Sequence, residues 1–307
     1  MKILRSIQEL EGIPGRLCIA IGFFDGVHLG HQQVIRQTLA DARHHEATTL
    51  VVTFDRHPNA VVAPDRVPPL IYSLPQKLRA VEALGADCLL LIHFDEAFSR
   101  QPAEVFVRSL APKPGRLQSL CVGADFVFGY KRGGNVTLLR QLGQELGFIV
   151  HGIAAVSLDG KAVSSTRIRE VISSGDLDAA GQMLGRGYSI AGEVVRGDQV
   201  GKKLGFPTAN LDVAGLVLPP RGVYAAHARH GNQDYRAAVN IGVRPTITDA
   251  QPQIRVEAHL LDFSGELYGE EIELTFVEKL REEQKFASLE ELKAQIARDV
   301  QKARGMF

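Results

Sequence analysis

The sequence predicts an α/β domain built on a parallel sheet, followed by a small antiparallel β-barrel domain with a C-terminal helix. In the first 150 residues, short apolar runs alternate with amphipathic segments, as in parallel sheets covered by helices on both faces. After about residue 186, apolar residues recur at every second position, which indicates antiparallel strands. A length of 307 residues suits about two domains. We therefore expect domains over residues 1–185 and 186–307.

The predicted elements of the first domain alternate along the chain. The strands are RLCIAIG, TTLVVTFD, ADCLLLIHF, LQSLCVGADF and FIVHGIAAV, all nearly continuous apolar runs. The helices are HQQVIRQTLADARHHE, LPQKLRAVEALG, PAEVFVRSLAP and NVTLLRQLGQELG, which have apolar residues three or four positions apart. Strands that are separated by helices pair in parallel, so a sheet with helices on both faces follows.

The predicted second domain is rich in strands. Its strands are YSIAGEVVRG, GVYAAHARHG, DYRAAVNIG, IRVEAHLLDF and EIELTFVEKL, and turn signals such as HGN and SGE separate several of them. The final helix, SLEELKAQIARDVQKA, begins with Ser288 as N-cap and Glu291 three residues later, which is a capping box. The domain boundary is expected near LGRGY, residues 184–188.

Composition and charge restrict the class of protein. The net charge is zero, so no overall basic field attracts nucleic acid or an anionic membrane. Cys18, Cys88 and Cys121 lie far apart within apolar runs, which favours free buried thiols over disulfides or a cysteine zinc site. The N-terminus lacks a signal-peptide pattern, and no 18-residue apolar stretch is present. We expect a cytoplasmic enzyme or binding protein with no nucleic-acid or membrane partner.

The segment IGFFDGVHLGHQQVI, residues 21–35, is the first candidate site. It follows the first predicted strand and leads into the first helix, where ligands of open α/β sheets bind. Gly22, Gly26 and Gly30 allow a close approach of backbone to ligand, and a helix N-terminus favours phosphate. His28 and His31 can stabilise charge that develops on a nucleotide triphosphate. The alternatives are a structural pair in an ordinary turn and a metal site. The metal site lacks a convincingly placed third ligand, because Asp25 is expected to point across the tight turn.

The segment VSSTRIREVISSG, residues 163–175, is a second candidate for phosphate binding. Ser164, Ser165 and Thr166 open a predicted helix, and Arg167 and Arg169 follow them. Hydroxyl groups and a guanidinium at a helix N-terminus can form an anion cradle. The alternative is an ordinary Ser/Thr cap with solvated arginines.

The segment VVRGDQVGKKLGFPTANL, residues 194–211, is the candidate of the second domain. The glycines Gly197, Gly201 and Gly205, together with Lys202 and Lys203, suit a flexible loop over phosphates, although the spacing is not that of a P-loop. In an extended segment Thr208 and Asn210 point the same way, and their oxygens suit Mg²⁺. The alternative is a hairpin loop whose glycines serve turns.

A carboxylate on a predicted barrel strand completes the candidates. In IRVEAHLLDF, period two places Arg255, Glu257 and His259 on one face. A carboxylate there can act as a general base toward a primary hydroxyl. The alternative is a solvent-facing glutamate, the commoner position for this residue type.

Taken together, these motifs resemble a known family. GFFDGVHLGH with SSTRIRE resembles the nucleotidyltransferases that carry a His-x-Gly-His signature, and more narrowly the bacterial bifunctional riboflavin kinase/FMN adenylyltransferases, or FAD synthetases. VVTFDRHP, VGADFVFGYKRGGNVTLL and VSSTRIR follow in that family's order. The second half is similar to the riboflavin kinase module in GFPTAN, PPRGVYA, NIGVRPT, VEAHLLDF and LREEQKFASLEELKAQI. The resemblance covers nearly the whole chain.

For the first domain, the resemblance implies a Rossmann-like nucleotidyltransferase that uses ATP to convert FMN to FAD. His28 and His31 would contact the ATP phosphates, and Asp25 would orient the glycine turn. The implied nucleotide- and flavin-binding set comprises Gly22, Phe24, Asp25, Gly26, Gly30, Asp125, Ser164, Ser165, Thr166 and Arg169. The alternatives are a nucleotidyltransferase for another phosphorylated acceptor and a flavin- or nucleotide-sensing binding protein without activity.

For the second domain, the resemblance implies a riboflavin kinase that uses ATP and Mg²⁺. Thr208 and Asn210 would bind Mg²⁺–ATP, and Glu257 would deprotonate the ribityl 5′-hydroxyl of riboflavin. The implied remaining contacts are Gly201, Lys203 and Gly205 over the phosphates and Arg281, with the segment around Phe286, near the flavin. The oligomeric state is not predicted.

Three residues depart from the pattern that the family often shows. Phe23 stands where asparagine is frequent, Arg56 lies in TFDRHP where TFEPHP is frequent, and Asn135 stands where aspartate is expected. The three departures concern the details of the flavin pocket and leave the expected reaction type unchanged.

Overall fold

The structure is a computed structural model that describes residues 1–243 and 254–307. The chain divides into two compact units, residues 1–68 with 74–165 and residues 69–73 with 166–307. This division falls earlier in the chain than the boundary expected between residues 185 and 186. Residues 244–246 of the NIGVRPT motif lie outside the described residues.

The first unit is built around a parallel sheet. Its described strands are β1 Lys2–Leu4, β2 Leu17–Ile21, β3 Thr48–Phe54, β4 Cys88–Ile92, β5 Leu117–Gly123, β6 Val127–Phe128, β7 Gly134–Asn135, β8 Ile149–Ile153, β9 Ser157–Leu158 and β10 Lys161–Ala162. Within the described chain, six of these form the main sheet in the order β1-β4-β3-β2-β5-β8, with every pairing parallel. β6 with β7 and β9 with β10 form separate two-stranded ribbons.

Helices cover both faces of this sheet. They are α1 Leu29–His45, α2 Asn59–Val62, α3 Leu74–Glu82, α4 Glu96–Ser99, α5 Ala103–Leu110 and α6 Val136–Leu146. Along β2, Ile19 and Ile21 join a buried cluster with α5 and α6, whereas Ala20 joins a second cluster with α1 and α3. Alternating residues of a strand point to opposite faces, so a nearly continuous apolar strand supplies both cores. The predicted parallel sheet is confirmed.

The second unit is a closed antiparallel barrel. Its described elements are β11 Ser189–Val195, α9 Val200–Leu204, β12 Ala209–Leu211, β13 Gly222–His230, β14 Gln233–Val243, β15 Ile254–Leu260, β16 Glu271–Arg281 and α10 Leu289–Arg304. In the described part of the chain, the barrel closes in the order β11-β12-β15-β14-β13-β16. Two further helices, α7 Ser165–Ser174 and α8 Leu177–Leu184, precede the barrel in the chain. The predicted barrel and C-terminal helix are confirmed, and Ser288 caps α10 through the Glu291 N–H as expected.

Several elements of the structure were not predicted from the sequence, among them the helices α2, α4 and α8. β1 and β12 are strands of three residues, too short to show a periodic pattern, and neither was predicted as a strand. The glycine-rich segment expected to be a flexible loop contains the helix α9, which ends at Gly205 with a left-handed φ of 90°. A glycine at that position is an ordinary helix stop.

In residues 1–243 and 254–307, no helix has both the length and the apolar character required to cross a membrane.

Candidate active sites

The two histidines of the first candidate site lie side by side at the start of α1. His28 is the N-cap residue, and its Nδ1 accepts a hydrogen bond from the His31 main-chain N–H at 3.4 Å. The two imidazole rings are stacked, with their centroids 3.5 Å apart. Both rings are therefore held at the positive end of a 17-residue helix, where the helix dipole favours anions.

The electrostatic environment keeps His31 uncharged. Its Nδ1 is buried and has no hydrogen-bond partner among the described residues. Burial lowers the pKa of His31 well below its usual range, and the neighbouring charges of His28 and Lys77 lower it further. A neutral imidazole at this position can still donate one hydrogen bond through a ring N–H.

The turn between β2 and α1 is held in an unusual backbone conformation. Phe24 and Val27 have φ of 55° and 40°, and Gly26 has φ of 75°. Such left-handed conformations are strained for residues with a side chain and persist only when packing fixes them. Phe24 and Val27 supply that packing, because their side chains are 2% and 1% exposed within the core beside α1.

Two glycines of this turn make room for the site's own side chains. A Cβ atom at Gly22 would lie 2.7 Å from the Phe24 ring, and one at Gly30 would lie 3.2 Å from the His28 ring. These glycines were expected to let backbone approach a ligand, whereas their neighbours show that they first permit internal packing. The Phe24 ring is in the core, so only its backbone is available to a ligand.

One residue at the start of the second predicted motif contacts the first motif within one unit. Ser165 Oγ donates a hydrogen bond to the main-chain oxygen of Asp25 at 3.1 Å, although the residues are 140 positions apart. Ser164 immediately precedes α7, and Asp125 is exposed just beyond the end of β5. Thr166 and Arg169 belong to the second unit, where Arg169 Nε donates to the Pro69 carbonyl at 2.6 Å.

Sequence reasoning missed a buried lysine beneath this turn. Lys77 of α3 is 4% exposed, and its Nζ donates to the carbonyls of Phe54 at 2.7 Å and Phe23 at 3.2 Å. Burial lowers its pKa to about 8, against the opposing effect of Asp25 and Asp55. The available signal was its position within LPQKLRAVEALG, four residues before the buried Val81 and thus on the same helix face.

The three departures from the family pattern have local structural explanations. The Phe23 ring lies under Lys77 Nζ, 4.4 Å from the ring centroid. Arg56 forms an ion pair with Asp55, Nε to Oδ1 at 3.4 Å. Asn135 is the N-cap of α6, and its Oδ1 accepts from the Leu138 N–H at 3.0 Å. Asparagine and aspartate cap helices about equally well, so this departure preserves the local structure.

The second candidate site lies on the outer face of the barrel. Val256, Ala258 and Leu260 of β15 are buried, so the predicted alternation places Glu257 on the opposite face. In the barrel register, Glu257 pairs with Asn210 of β12 on one side and Asn240 of β14 on the other. Asn240 was not predicted, because its position opposite Glu257 depends on strand register.

A cavity of about 300 Å³ covers this face of the barrel. Predicted site residues among its lining are Gly201, Thr208, Glu257, Arg281 and Phe286. Leu292, Ile296 and Val300 of α10 supply an apolar wall. A pocket with apolar walls and a few polar groups is typical of small-molecule sites.

A second cavity of about 360 Å³ lies on the other side of Thr208. It is bordered by Lys202, Pro207, Phe263 and Tyr268, among others, and Thr208 lines both cavities. Lys203, the predicted phosphate ligand, is exposed on α9, while its neighbour Lys202 faces this cavity. Gly201 packs closely, because a Cβ atom there would lie 2.4 Å from the Phe206 carbonyl oxygen.

Burial raises the pKa of the Glu257 carboxyl above its usual range. Asp198 adds to this effect, whereas Arg255 opposes it. Arg255 and Asp198 form an ion pair of 2.9 Å beside the carboxylate. A carboxylate with a raised pKa is a stronger base, as general-base catalysis requires.

Arg281 is fixed by a buried carboxylate of α10. Its Nε and Nη2 donate to Asp299 at 3.0 and 2.7 Å, and its Cζ lies 5.8 Å from the Phe286 ring centroid. Gln295 Nε2 also donates to Asp299, at 2.8 Å. A bidentate pair of this kind fixes orientation, so Arg281 holds α10 against the barrel and borders the cavity.

The donor atoms near Glu257 fit a hard cation that is shared with a substrate. Thr208 offers a hydroxyl oxygen and Asn210 an amide oxygen, and Mg²⁺ prefers oxygen ligands of both protein and phosphate. In the described ranges, no group of three or more His, Cys, Asp or Glu residues could hold a metal ion. Two protein oxygens leave further coordination positions of such a cation for other oxygen ligands, such as those of a phosphate.

Comparisons with known proteins follow the same two-part division. The family model for FAD synthetase matches residues 11–167, and the model for riboflavin kinase matches residues 184–307. The bifunctional riboflavin kinase/FMN adenylyltransferase of Escherichia coli (strain K12) is 38% identical, covering 100% of this chain and 98% of that protein. The protein of the same description from Haemophilus influenzae is 35% identical, with 100% and 99% covered.

A solved structure extends the likeness to the fold. The crystal structure described as a macrolide-efflux protein from Streptococcus pneumoniae is 27% identical and aligns with a TM-score of 0.81. The alignment covers 98% of each chain.

Proposed function

We propose a division of labour between two active sites in this chain, which belongs to the bifunctional riboflavin kinase/FMN adenylyltransferase family. The chain phosphorylates riboflavin to FMN and adenylylates FMN to FAD. We assign the first reaction to residues 186–307 and the second to residues 1–185. The spans of the two family matches, residues 184–307 and 11–167, support this assignment.

For the kinase reaction, riboflavin occupies the cavity that contains Glu257, and ATP occupies the cavity beside it. The observation that carries this assignment is that Thr208 lines both cavities, whereas Glu257 lines only the first. The γ-phosphoryl group and the ribityl hydroxyl then meet beside Thr208. The apolar wall from α10 suits the flavin ring, and Lys202 suits the nucleotide phosphates.

In the kinase step, Glu257 acts as the general base. Its carboxylate accepts the proton of the ribityl 5′-hydroxyl while that oxygen forms a bond to the γ-phosphorus, and the bond from the phosphorus to ADP breaks. The raised pKa of Glu257 makes it a more effective proton acceptor. Arg281 and Asp299 keep α10 in place, which holds the flavin against the barrel.

Thr208 and Asn210 would hold Mg²⁺ together with ATP phosphates. When bound, the ion neutralises phosphate charge. These two side chains also orient the nucleotide toward Glu257, because Asn210 is the direct cross-strand neighbour of Glu257.

For adenylyl transfer, His28 and His31 stabilise charge on the phosphates of ATP. A phosphate oxygen of FMN forms a bond to the α-phosphorus, and pyrophosphate leaves. No base is required, because the FMN phosphate is already ionised. The stacked imidazoles at the N-terminus of α1, the neutral state of His31 and the adjacent Ser165 support this role. Ser164, which belongs to the same unit and directly precedes α7, is a further proposed phosphate contact. The roles of Thr166 and Arg169, which belong to the second unit, stay predictions from the sequence.

We also propose a cytoplasmic location and small-molecule partners only. Three free buried cysteines are expected in a reducing compartment, and a net charge of zero gives no general attraction to nucleic acid.

The proposed function is tested by incubating the full chain with riboflavin, ATP and Mg²⁺ and separating the flavins by chromatography. FMN should appear first and FAD after it, with pyrophosphate released in proportion to FAD. An unchanged riboflavin peak would contradict the kinase assignment. FMN that never becomes FAD would contradict the adenylyltransferase assignment.

A further inference from the structure

The buried ammonium group of Lys77 connects the ends of two neighbouring strands. Phe23 follows the last residue of β2 by two positions, and Phe54 is the last residue of β3. Lys77 Nζ donates to both carbonyls, at 3.2 and 2.7 Å. Thr53 Oγ1 donates to the same Phe23 carbonyl at 3.0 Å. The Phe23 carbonyl is therefore held from two sides, immediately before the turn that leads to His28.

A lysine at this position is costly for the fold. Removing an ammonium group from water is unfavourable unless polar partners replace the water, and Lys77 is 4% exposed. Its pKa of about 8 leaves the group mostly charged at neutral pH. An apolar side chain on this helix face would pack against the core without that cost. A specific structural role of the ammonium group at the turn would account for a charged residue at this position.

The strained backbone of the turn indicates what this role is. Phe24, Gly26 and Val27 all have positive φ, so contacts from other residues are needed to maintain the backbone conformation from Phe23 to His28. Lys77 provides such support at the first carbonyl of the turn, and its ammonium also covers the Phe23 ring at 4.4 Å. The position of the stacked histidines depends on this backbone conformation, because His28 directly follows Val27.

We propose that Lys77 is a positioning residue for adenylyl transfer, which fixes the Phe23 carbonyl so that His28 and His31 face the ATP phosphates. The proposal rests on the proposed function of the first domain. Lys77 acts through the backbone and does not itself touch the reacting atoms. Displacement of a charge-stabilising group by about 1 Å can reduce a rate on the order of 100-fold. The loss should therefore fall on kcat for FAD formation, with little change in KM for ATP.

The test compares Lys77→Met with two other variants in the full chain. Methionine matches the length of the lysine stem but donates no hydrogen bonds. Lys77→Arg keeps the charge and the donors, so it should recover part of the kcat that Lys77→Met loses. Val81→Ala is the stability control, because Val81 is fully buried on the same helix, four residues beyond Lys77. It should lower the melting temperature and leave kcat per folded molecule unchanged.

Riboflavin phosphorylation is measured in every sample as an internal reference. A roughly 100-fold lower kcat for FAD formation in Lys77→Met, with normal FMN formation, supports the proposal. A kcat within about threefold of wild type overturns it. Failure of the proposed function is distinguishable, because the unmodified chain would then make no FAD.

A second variant decides the question if Lys77→Met does not fold. Thr53→Val is nearly isosteric and removes the other hydrogen bond to the Phe23 carbonyl. If the carbonyl positions the histidines, this variant should lose several-fold in kcat for FAD formation at unchanged KM. An unchanged kcat in a folded Thr53→Val chain would then overturn the proposal.

Discussion

Replacement of Glu257 by glutamine separates catalysis from stability in the barrel. Glutamine preserves the size of the side chain between Asn210 and Asn240 but cannot accept the hydroxyl proton. General-base catalysis contributes about 10²- to 10⁴-fold in rate. At about 1.4 kcal/mol per tenfold, the transition state of riboflavin phosphorylation should lose about 3–5 kcal/mol of stabilisation.

The same substitution should not destabilise the fold. Burial raises the folded-state pKa of Glu257, which means that folding disfavours its ionised form. Stability from this group is therefore lost as the pH rises from the unfolded-state pKa through the folded-state pKa, and the ionised carboxylate above that range carries the penalty. Glutamine carries no charge and removes the penalty. The melting temperature of Glu257→Gln at pH 7 should equal or exceed that of the unmodified chain.

The assay follows FMN from riboflavin and, separately, FAD from supplied FMN. In the unmodified chain, the rate of FMN formation should decline at acid pH with a midpoint above the ordinary glutamate pKa. The residual rate of Glu257→Gln should not show this decline. FAD formation from FMN should be unchanged in the variant. Kinase activity within threefold of wild type, or an equal loss of both activities, would refute the assignment of Glu257 as the base.

Three further predictions concern other parts of the chain. The double variant His28→Ala with His31→Ala should accumulate FMN and lose FAD formation at least ~100-fold, and FAD formation at the original rate would contradict the assignment. Arg281→Met should leave Asp299 buried without its main partner and lower the free energy of unfolding by about 3 kcal/mol in urea titration, whereas a change below about 1 kcal/mol would contradict the role of this pair. Asn135→Asp should preserve the melting temperature, while Asn135→Ala should cost about 1 kcal/mol through loss of the α6 cap; equal effects of the two would contradict the capping role.

Local patterns were sufficient to predict much of the fold and part of the sites. The period-two alternation around Glu257 depends only on neighbouring residues, so the outward position of this side chain could be predicted. The sequence of the β2–α1 turn likewise indicated a strand end, a turn and a helix start. The stacked pair of His28 and His31 is a direct consequence of the capping position of His28.

Features that depend on tertiary packing could not be predicted in the same way. Asn240 is a neighbour of Glu257 only through strand register, which is set by the whole barrel. Lys77 is buried because α3 packs beneath the β2–α1 turn, and a lysine in an amphipathic helix ordinarily predicts a solvated position. The glycine content of residues 194–211 favoured a loop, but Gly201 is accommodated in a helix through its close contact with the Phe206 carbonyl.

The shortness of β12 has a consequence for local opening of the barrel. β12 pairs through two residues with β11 and through three with β15, so it is held by far fewer ladder hydrogen bonds than the eleven-residue strands elsewhere in the barrel. Elements with few hydrogen bonds open most readily in local fluctuations, and their amide protons exchange first with solvent. Asn210 lies on this strand and Thr208 directly before it, at the proposed binding site for Mg²⁺–ATP. A nucleotide bound there would reduce the local opening of β12. Slower amide exchange at residues 209–211 would therefore report that the kinase site is occupied.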